Sequence, residues 1–515
     1  MTSSEQDSLN PAPLDVVVIG GGVNGTGIAL DAAGRGLKVM LCEMNDLASA
    51  TSSSSSKLIH GGLRYLEFYE FRLVREALAE RESLLRNAPH IMWPMRFCLP
   101  HQPHLRPAWM IRIGLFLYDH LARRELLPAS KGIRFNTDSP LVKSITRGFL
   151  YSDGWVDDAR LVVLCAKAAA ARGALIRTRS RCVSAVREGT LWRVLMEDLH
   201  SGEQSEYRCR ALVNAAGPWV SKVLTQAVGQ TAAKQIRMVK GSHIVVPRMN
   251  IGEHAYILQN SDGRIVFVIP YEDDFSLIGT TDVDYQGDPS QVSISTEEID
   301  YLLAVVNSHF RDTISASDIV WSFSGVRPLM DDESATAQKA SRDYSFELDA
   351  PAGAAPLLSI FGGKITTYRK LAEAATDSLC QFFADAGPAW TSKATLPGGD
   401  FLDQPSLQRE LAEQYPWLPA KVLKRWVRTY GTLCRHILAD CDSLESLGEH
   451  YGAGLYEQEV SYLVREEWAC TVNDILWRRT KLGLHLQHSA HPALEHKIAQ
   501  LLGSRATAPA ETESP

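Results

Sequence analysis

Two hydrophobic rhythms run along residues 14–43, LDVVVIGGGVNGTGIALDAAGRGLKVMLCE. Val16 to Ile19 make an apolar run of buried-strand length. Ile28 to Ala33 carry helix formers until Gly34 and Gly36 stop them, and residues 37–42 return as a strand. After a long loop, the segment from about Tyr69 to Asn87 is strongly helical, rich in Glu and Arg, with Phe71, Val74, Leu78 and Leu85 predicted on one side. Residues 159–172 predict a further helix. Alternating strands follow at 174–186 and 191–198, and residues 210–220 predict a strand ending in a turn of small residues.

Between Ser242 and Gly279 the pattern changes. SHIVVP, AYILQ, RIVFVIP and FSLIG are separated by turn signals such as Ser261-Asp262-Gly263, which predicts an antiparallel sheet inserted among α/β units. Residues 355–379 go back to strand, glycine turn and helix. LPGGD at 396–400 marks a boundary, beyond which the pattern is helical throughout, near 405–414, 419–428, 456–468 and 472–481. A helical cap domain is therefore expected over 397–503, after a first unit over 14–396 with interleaved substrate-facing parts at roughly 66–150 and 220–340. Residues 1–13 and 504–515 are polar and are expected to be disordered tails.

Composition narrows the class. With 45% hydrophobic and 22% charged residues the chain falls among globular proteins able to bury more than one core. A formal net charge of -7 removes the general electrostatic case for binding nucleic acid. Nine cysteines lie scattered without a C-x-x-C pair, so neither a disulfide framework nor a metal site is expected. The first residues lack the basic and apolar regions of a secretory signal, and no apolar run reaches the ~18 residues of a spanning helix. The nearest is AWMIRIGLFLYDHLARR, residues 108–124, interrupted by Arg112 and closed by Arg123 and Arg124. It reads either as an amphipathic core helix or, through Trp109, Phe116 and Tyr118, as a segment lying in a membrane interface.

The chemistry begins at Gly20, Gly22 and Gly25, a G-x-G-x-x-G pattern directly after a predicted strand and at the mouth of a predicted helix. Such a turn brings backbone and helix N-terminus up to a pyrophosphate. Glu43 closes the second strand roughly 20 residues on, where an acid can accept bonds from a ribose. The fingerprint alone leaves FAD and NAD open. Because it occurs once, a flavin and a separate nicotinamide are not expected together, and electrons must leave to another acceptor. The hydroxyls of Thr51 to Ser56 and the backbone of Gly61 and Gly62 are candidates to contact such a cofactor. Basic residues recur beside turns: Arg64 in GGLRYL, Arg327 in SGVRPL, Arg342 in SRDY and Lys364 in FGGK. Arginine forks match phosphate or carboxylate, so an anionic substrate is the natural reading. His60 and His243 are candidate bases because imidazole titrates near neutrality.

These motifs, read together as IGGGVNGTGIALDAAGRG, ATSSSSSKLIHGGLRYLE, RPAWMIRIGLFLYDHL, KGSHIVVPR, IGTTDVDY, SGVRPL and FGGKITTYRKLAE, resemble the aerobic, FAD-dependent glycerol-3-phosphate dehydrogenases of bacteria. The resemblance runs from Asp15 to about residue 485. It implies an α/β fold similar to glycine and D-amino-acid oxidases: a Rossmann-like FAD-binding domain, an antiparallel-sheet substrate domain and an α-helical C-terminal domain. It further implies attachment to the cytoplasmic face of the inner membrane and ubiquinone as acceptor; a homodimer is expected besides.

Carried onto this chain, the FAD site falls on Gly20, Gly22, Asn24, Gly25 and Glu43, on Thr51, Ser52, Ser56, Leu58, His60, Gly61 and Gly62, and on Val183, Gly217, Gly363, Lys364, Ile365 and Thr366. The substrate phosphate is expected on Arg64, Tyr65, Arg327 and Lys364, with Arg342 nearby. The implied reaction takes sn-glycerol 3-phosphate to dihydroxyacetone phosphate, with hydride passing from C2 to the flavin. His60 is the expected base and His243 the reserve, while Arg327 clamps and polarises. Three alternatives stand beside this one: an oxidase of the same fold using oxygen, an amino-acid oxidase relative gripping a carboxylate, and a flavin-binding protein without turnover.

Overall fold

The structure is a computed structural model that describes residues 12–231, 236–330 and 343–507. In chain order the main elements are β1 (Leu14–Ile19), α1 (Val23–Gly34), β2 (Val39–Cys42), α2 (Phe71–Asn87), α3 (Ala108–His120), β3 (Arg147–Val156), α4 (Asp158–Ala170), β4 (Gln204–Asn214), β5 (Ile236–Pro247), β6 (Phe275–Gly279), α5 (Thr296–His309), β7 (Trp321–Met330), β8 (Leu357–Phe361) and α6 (Tyr368–Cys380).

An eight-stranded sheet carries β8, β4, β1 and β2 side by side, all parallel, with Leu175–Arg177 at one edge. Every residue of β2 and the last four of β1 are buried, because helices cover a parallel sheet and its strands become continuous apolar runs. α1, α4 and α6 pack together in the same core through Ile28, Ala32, Leu161, Cys165, Leu371 and Ala375.

The second sheet has ten strands and joins Met92–Pro100, β3, β5, β6 and β7 with Ala255–Gln259 and Ile265–Tyr271. Among the described residues, all of its pairings are antiparallel except that of Ala255–Gln259 with Met92–Pro100. The side-chain period of two sorts its faces. Ile244, Val246, Val268 and Ile278 pack under Leu302, Val305 and Val306 of α5. Val245, Ile257, Ile269 and Leu277 face the opposite way, toward Leu115 and Tyr118 of α3. His243 shares the parity of Val245 and points to that second face.

Three expectations change. In α2, Val74, Leu78 and Leu85 are buried as predicted, whereas Phe71 is exposed and Glu80, Arg81 and Glu82 are buried instead. Those charges tolerate burial because Arg369 and Asp153 pair with Glu80 and Arg81. The C-terminal unit is not wholly helical, since a two-stranded ribbon, His450–Gly452 with Leu455–Tyr456, interrupts its helices. Its last helix, His491–Thr507, runs into the stretch expected to be a disordered tail. The rest of both expected tails lies outside the described residues, apart from Ala12 and Pro13.

α3 also departs from a core helix. Only Leu115, Tyr118 and Asp119 are buried, while Trp109 and Phe116 are 63% and 53% exposed and Met110, Ile113 and Leu117 lie out with them. Among the described residues no helix is long and apolar enough to cross a membrane.

Candidate active site

The nucleotide end is built where β1 turns into α1. A Cβ on Gly25 would stand 1.9 Å from the Gly20 carbonyl oxygen, so only glycine lets the helix sit this close to the strand. The Val23 N–H donates to Ser52 Oγ at 3.0 Å, so the serine loop reaches the helix N-terminus. Glu43 accepts from the Gly21 and Asn45 N–H groups, both at 2.7 Å. Burial raises the Glu43 carboxyl pKa, and those two N–H groups oppose the rise. Asn24 donates to the Gly362 carbonyl at 3.1 Å, while its buried Oδ1 has no partner among the described residues. A buried acceptor without a donor, a glycine cradle and an acid beyond the second strand together fit the adenosine diphosphate half of FAD.

From there the loop 51–62 crosses to the second sheet. Thr51 Oγ1 donates to the Val326 carbonyl at 2.7 Å. A Cβ on Gly325 would stand 2.7 Å from Ser54 Cβ, so a glycine in β7 lets the loop lie flat on the sheet. The Ser55 hydroxyl and the Lys57 ammonium both donate to Asp158, each at 2.7 Å. Burial lowers the Lys57 pKa and Asp158 acts against it. Leu58 and Ile59 then pair with β3 and are buried. The Gly61 N–H donates to Tyr118 Oη at 2.7 Å, and Tyr118 donates in turn to Asp153. His60 N–H meets Thr366 Oγ1 at 3.3 Å, which joins this loop to the segment after β8.

The strands β5 and β7 supply the rest. His243 faces Phe323 in register and stacks on it at 4.8 Å, with Nε2 2.9 Å from Ser56 Oγ. Burial first, then the charges of Arg327 and Lys57, hold its pKa well below the usual imidazole value. Its Nδ1 is buried without a partner among the described residues. Arg327, four residues along the same face from Phe323, ion-pairs with Asp282 and donates to Thr280 Oγ1 at 3.0 Å. The Lys364 ammonium lies over the Tyr65 ring, 4.1 Å from its centroid. The segments of Arg327 and Lys364 abut, since a Cβ on Gly362 would be 3.7 Å from the Pro328 carbonyl oxygen.

The predicted residues come from widely separated stretches of chain, and the contacts above tie several of them together. Ile365 and Thr366 begin the turn into α6, with Gly363 packed on Asn24. Gly217 follows Ala215, which packs on Gly20 and Gly25. Val183 sits at the bulge between Cys182 and Ser184, on a hairpin at the flank of the parallel sheet. Arg64 occupies the turn Leu63–Phe68 beside Tyr65, with its side chain outside the described residues, as is all of Arg342. Sequence reasoning did not reach Asp282, Thr280 or Asp158, and it read Tyr118 as an interfacial side chain, whereas Tyr118 is buried and bonds Gly61 and Asp153. IGTTDVDY was in view as a motif, but nothing local marks its Asp282 as the partner of Arg327.

Comparison with known proteins identifies the family. Residues 15–369 match the family described as FAD dependent oxidoreductase, and residues 389–511 match the C-terminal domain of alpha-glycerophosphate oxidase. A glycerol-3-phosphate dehydrogenase of Pseudomonas aeruginosa is 59% identical over 95% of both chains. The aerobic glycerol-3-phosphate dehydrogenase of Escherichia coli is 55% identical over 92% of this chain and 94% of its own. The crystal structure of the glycerol-3-phosphate dehydrogenase from Bacillus halodurans with FAD superposes with a TM-score of 0.75 at 28% identity, covering 98% of this chain and 94% of the other. The glycine cradle, the acid at Glu43, the family match and 55–59% identity to these relatives over nearly the whole chain lead to one conclusion: the chain belongs to the FAD-dependent oxidoreductases, in the glycerol-3-phosphate dehydrogenase family.

Proposed function

We propose that this enzyme oxidises sn-glycerol 3-phosphate at C2 to dihydroxyacetone phosphate and passes the electrons to ubiquinone at the cytoplasmic face of the inner membrane. The observation that carries the substrate is the pair of adjoining cationic segments, Lys364 over Tyr65 and Arg327 on Asp282 and Thr280, beside the cofactor loop. When bound, FAD supplies the two-electron acceptance that the reaction needs.

The chain's own residues do the rest. Lys364 and Arg327 hold the phosphate. Asp282 and Thr280 fix the guanidinium fork, so that little side-chain freedom is lost on binding. Arginine is too basic to take a proton at neutral pH. His243 is a weak base because burial depresses its pKa, and its Nε2 is engaged with Ser56. That leaves His60, on the loop between Ile59 and Gly61, to accept the C2 hydroxyl proton. The deciding experiment is anaerobic: glycerol 3-phosphate should bleach the flavin of the wild type, and His60→Ala should slow it far more than His243→Ala does. Equal rates for wild type and His60→Ala would remove His60 as the base, and bleaching by an amino acid instead would remove the substrate.

The acceptor reading is supported by α3. Its outward Trp109, Ile113 and Phe116, flanked by Arg106, Arg123 and Arg124, form the apolar and basic face of an interfacial helix. Changing Arg112, Arg123 and Arg124 to Glu should release the enzyme from sedimenting membranes, and unchanged sedimentation would acquit this helix. A short-chain ubiquinone should reoxidise the flavin faster than oxygen does. Prompt peroxide formation without quinone would favour the oxidase reading.

A further inference from the structure

One short segment of the C-terminal unit, the π-helical turn Asp474–Arg479 followed by Lys481, carries several charges to the rest of the molecule. Its charges do not face solvent. Arg479 grips Asp46 with two bonds, Nη1 to Oδ2 at 2.9 Å and Nη2 to Oδ1 at 2.8 Å, and both residues are fully buried. Arg478 Nε reaches the same carboxylate at 2.5 Å. Asp474 accepts from Arg179 at 2.7 Å, and Glu467, from the same unit, pairs with the buried Arg160 of α4. Lys481 lies 3.2 Å from Asp157.

What these partners have in common is their neighbourhood. Asp46 is three residues from Glu43, in the stretch whose Ala48 N–H donates to the Gly21 carbonyl at 3.0 Å and whose Asn45 carbonyl accepts from the Arg179 N–H at 2.9 Å. The same stretch therefore carries the cofactor acid and the anchor of the C-terminal unit. Asp157 is joined to Asp158, which holds Ser55 and Lys57 of the loop that runs to His60. The 43–50 stretch thus ends on a carboxylate held by this C-terminal turn, while the 51–57 loop ends on Asp158, which pairs with the loop's own Lys57 and is joined in sequence to the Asp157 that Lys481 meets.

We infer that this turn is a cofactor clamp: Arg479 and Lys481 are positioning residues that hold the 43–50 and 51–57 loops closed on FAD without touching it. A bidentate pair sets direction as well as distance, so Arg479 fixes the plane of Asp46 and with it the path of the backbone to Glu43. The C-terminal unit is on this view part of the flavin site, independent of which substrate or acceptor the enzyme uses.

The test is the affinity for FAD itself, measured by flavin fluorescence released on dilution and by titration of apoprotein, in the full-length protein. Arg479→Met should weaken FAD binding by about tenfold or more, the share of one charged contact passed to the loop, and Arg479→Lys should recover part of it. Arg425→Met is the control: it breaks the ion pair with Glu459 inside the C-terminal unit and should lower stability while leaving FAD affinity within twofold of wild type. If Arg479→Met does not fold, Arg478→Gln, at the less buried of the two arginines, should show the same direction. FAD affinity unchanged in either variant, or reduced as much by Arg425→Met, would overturn the inference, whatever the enzyme's substrate proves to be.

Discussion

Asp158→Asn is the sharpest single perturbation the structure offers. Lys57 and Asp158 are 1% and 0% exposed and 2.7 Å apart, and the carboxylate also accepts from the Ser55 N–H and hydroxyl and from the Ala159 N–H. Asparagine keeps the shape and one acceptor but removes the charge, so Lys57 is left as a buried ammonium without its counterion. Breaking one side of a buried pair costs about 3–5 kcal/mol. At that size the variant loses a large part of a typical domain's stability, and the loop 51–57 loosens first because Ser55 loses its anchor as well. The double variant Lys57→Met/Asp158→Asn removes both charges and should regain most of the loss, on the order of 2–3 kcal/mol, because an apolar side chain replaces an ion already desolvated. The assay is urea unfolding at saturating FAD, read by tryptophan and flavin fluorescence together. Asp158→Asn within about 1 kcal/mol of wild type, or a double variant no better than the single, would show that the Lys57–Asp158 pair does not hold this loop.

Gly25→Ala should abolish FAD retention, since its Cβ would lie 1.9 Å from the Gly20 carbonyl oxygen; gel filtration with absorbance at the flavin band checks this. Arg327→Ala should raise KM for glycerol 3-phosphate by about 10- to 100-fold, the range of a charged hydrogen bond of ~1.5–3 kcal/mol, and a KM within twofold of wild type would remove Arg327 from the phosphate clamp. His90 is buried with its pKa lowered to about 3, and that of His243 is lowered well below 6.5. The folded state keeps both neutral while the unfolded state takes up a proton below ~6.5, so each should cost ~1.4 kcal/mol of stability per pH unit below that point. His90→Gln should flatten its share of the slope in urea midpoints measured from pH 6.5 to 5, and an unchanged slope would contradict the burial argument. Lys57 acts with the same sign in another window: its lowered pKa makes stability rise with pH from that value toward ~10.4, an increment that Lys57→Met should lack.

Local pattern by itself determined the strands and helices of the parallel sheet, the glycine turn with Glu43 beyond the second strand, and the antiparallel insert. Each follows from interactions within a few residues: a side-chain period of two or 3.6, and a turn that only glycine can make where helix meets strand. The family motifs also named the cofactor loop and the cationic residues. What tertiary structure alone decided is which charges meet. Asp46 and Arg479 are separated by 433 positions and Lys57 and Asp158 by 101, and no periodicity links such partners, because a buried ion pair is chosen by strand register and domain docking. The same holds for Phe71 and Trp109 turned outward while Glu80 and Arg81 lie inside. Hydrophobicity ranks how readily a side chain is buried, but the neighbouring element settles whether the cost of burying a charge is met.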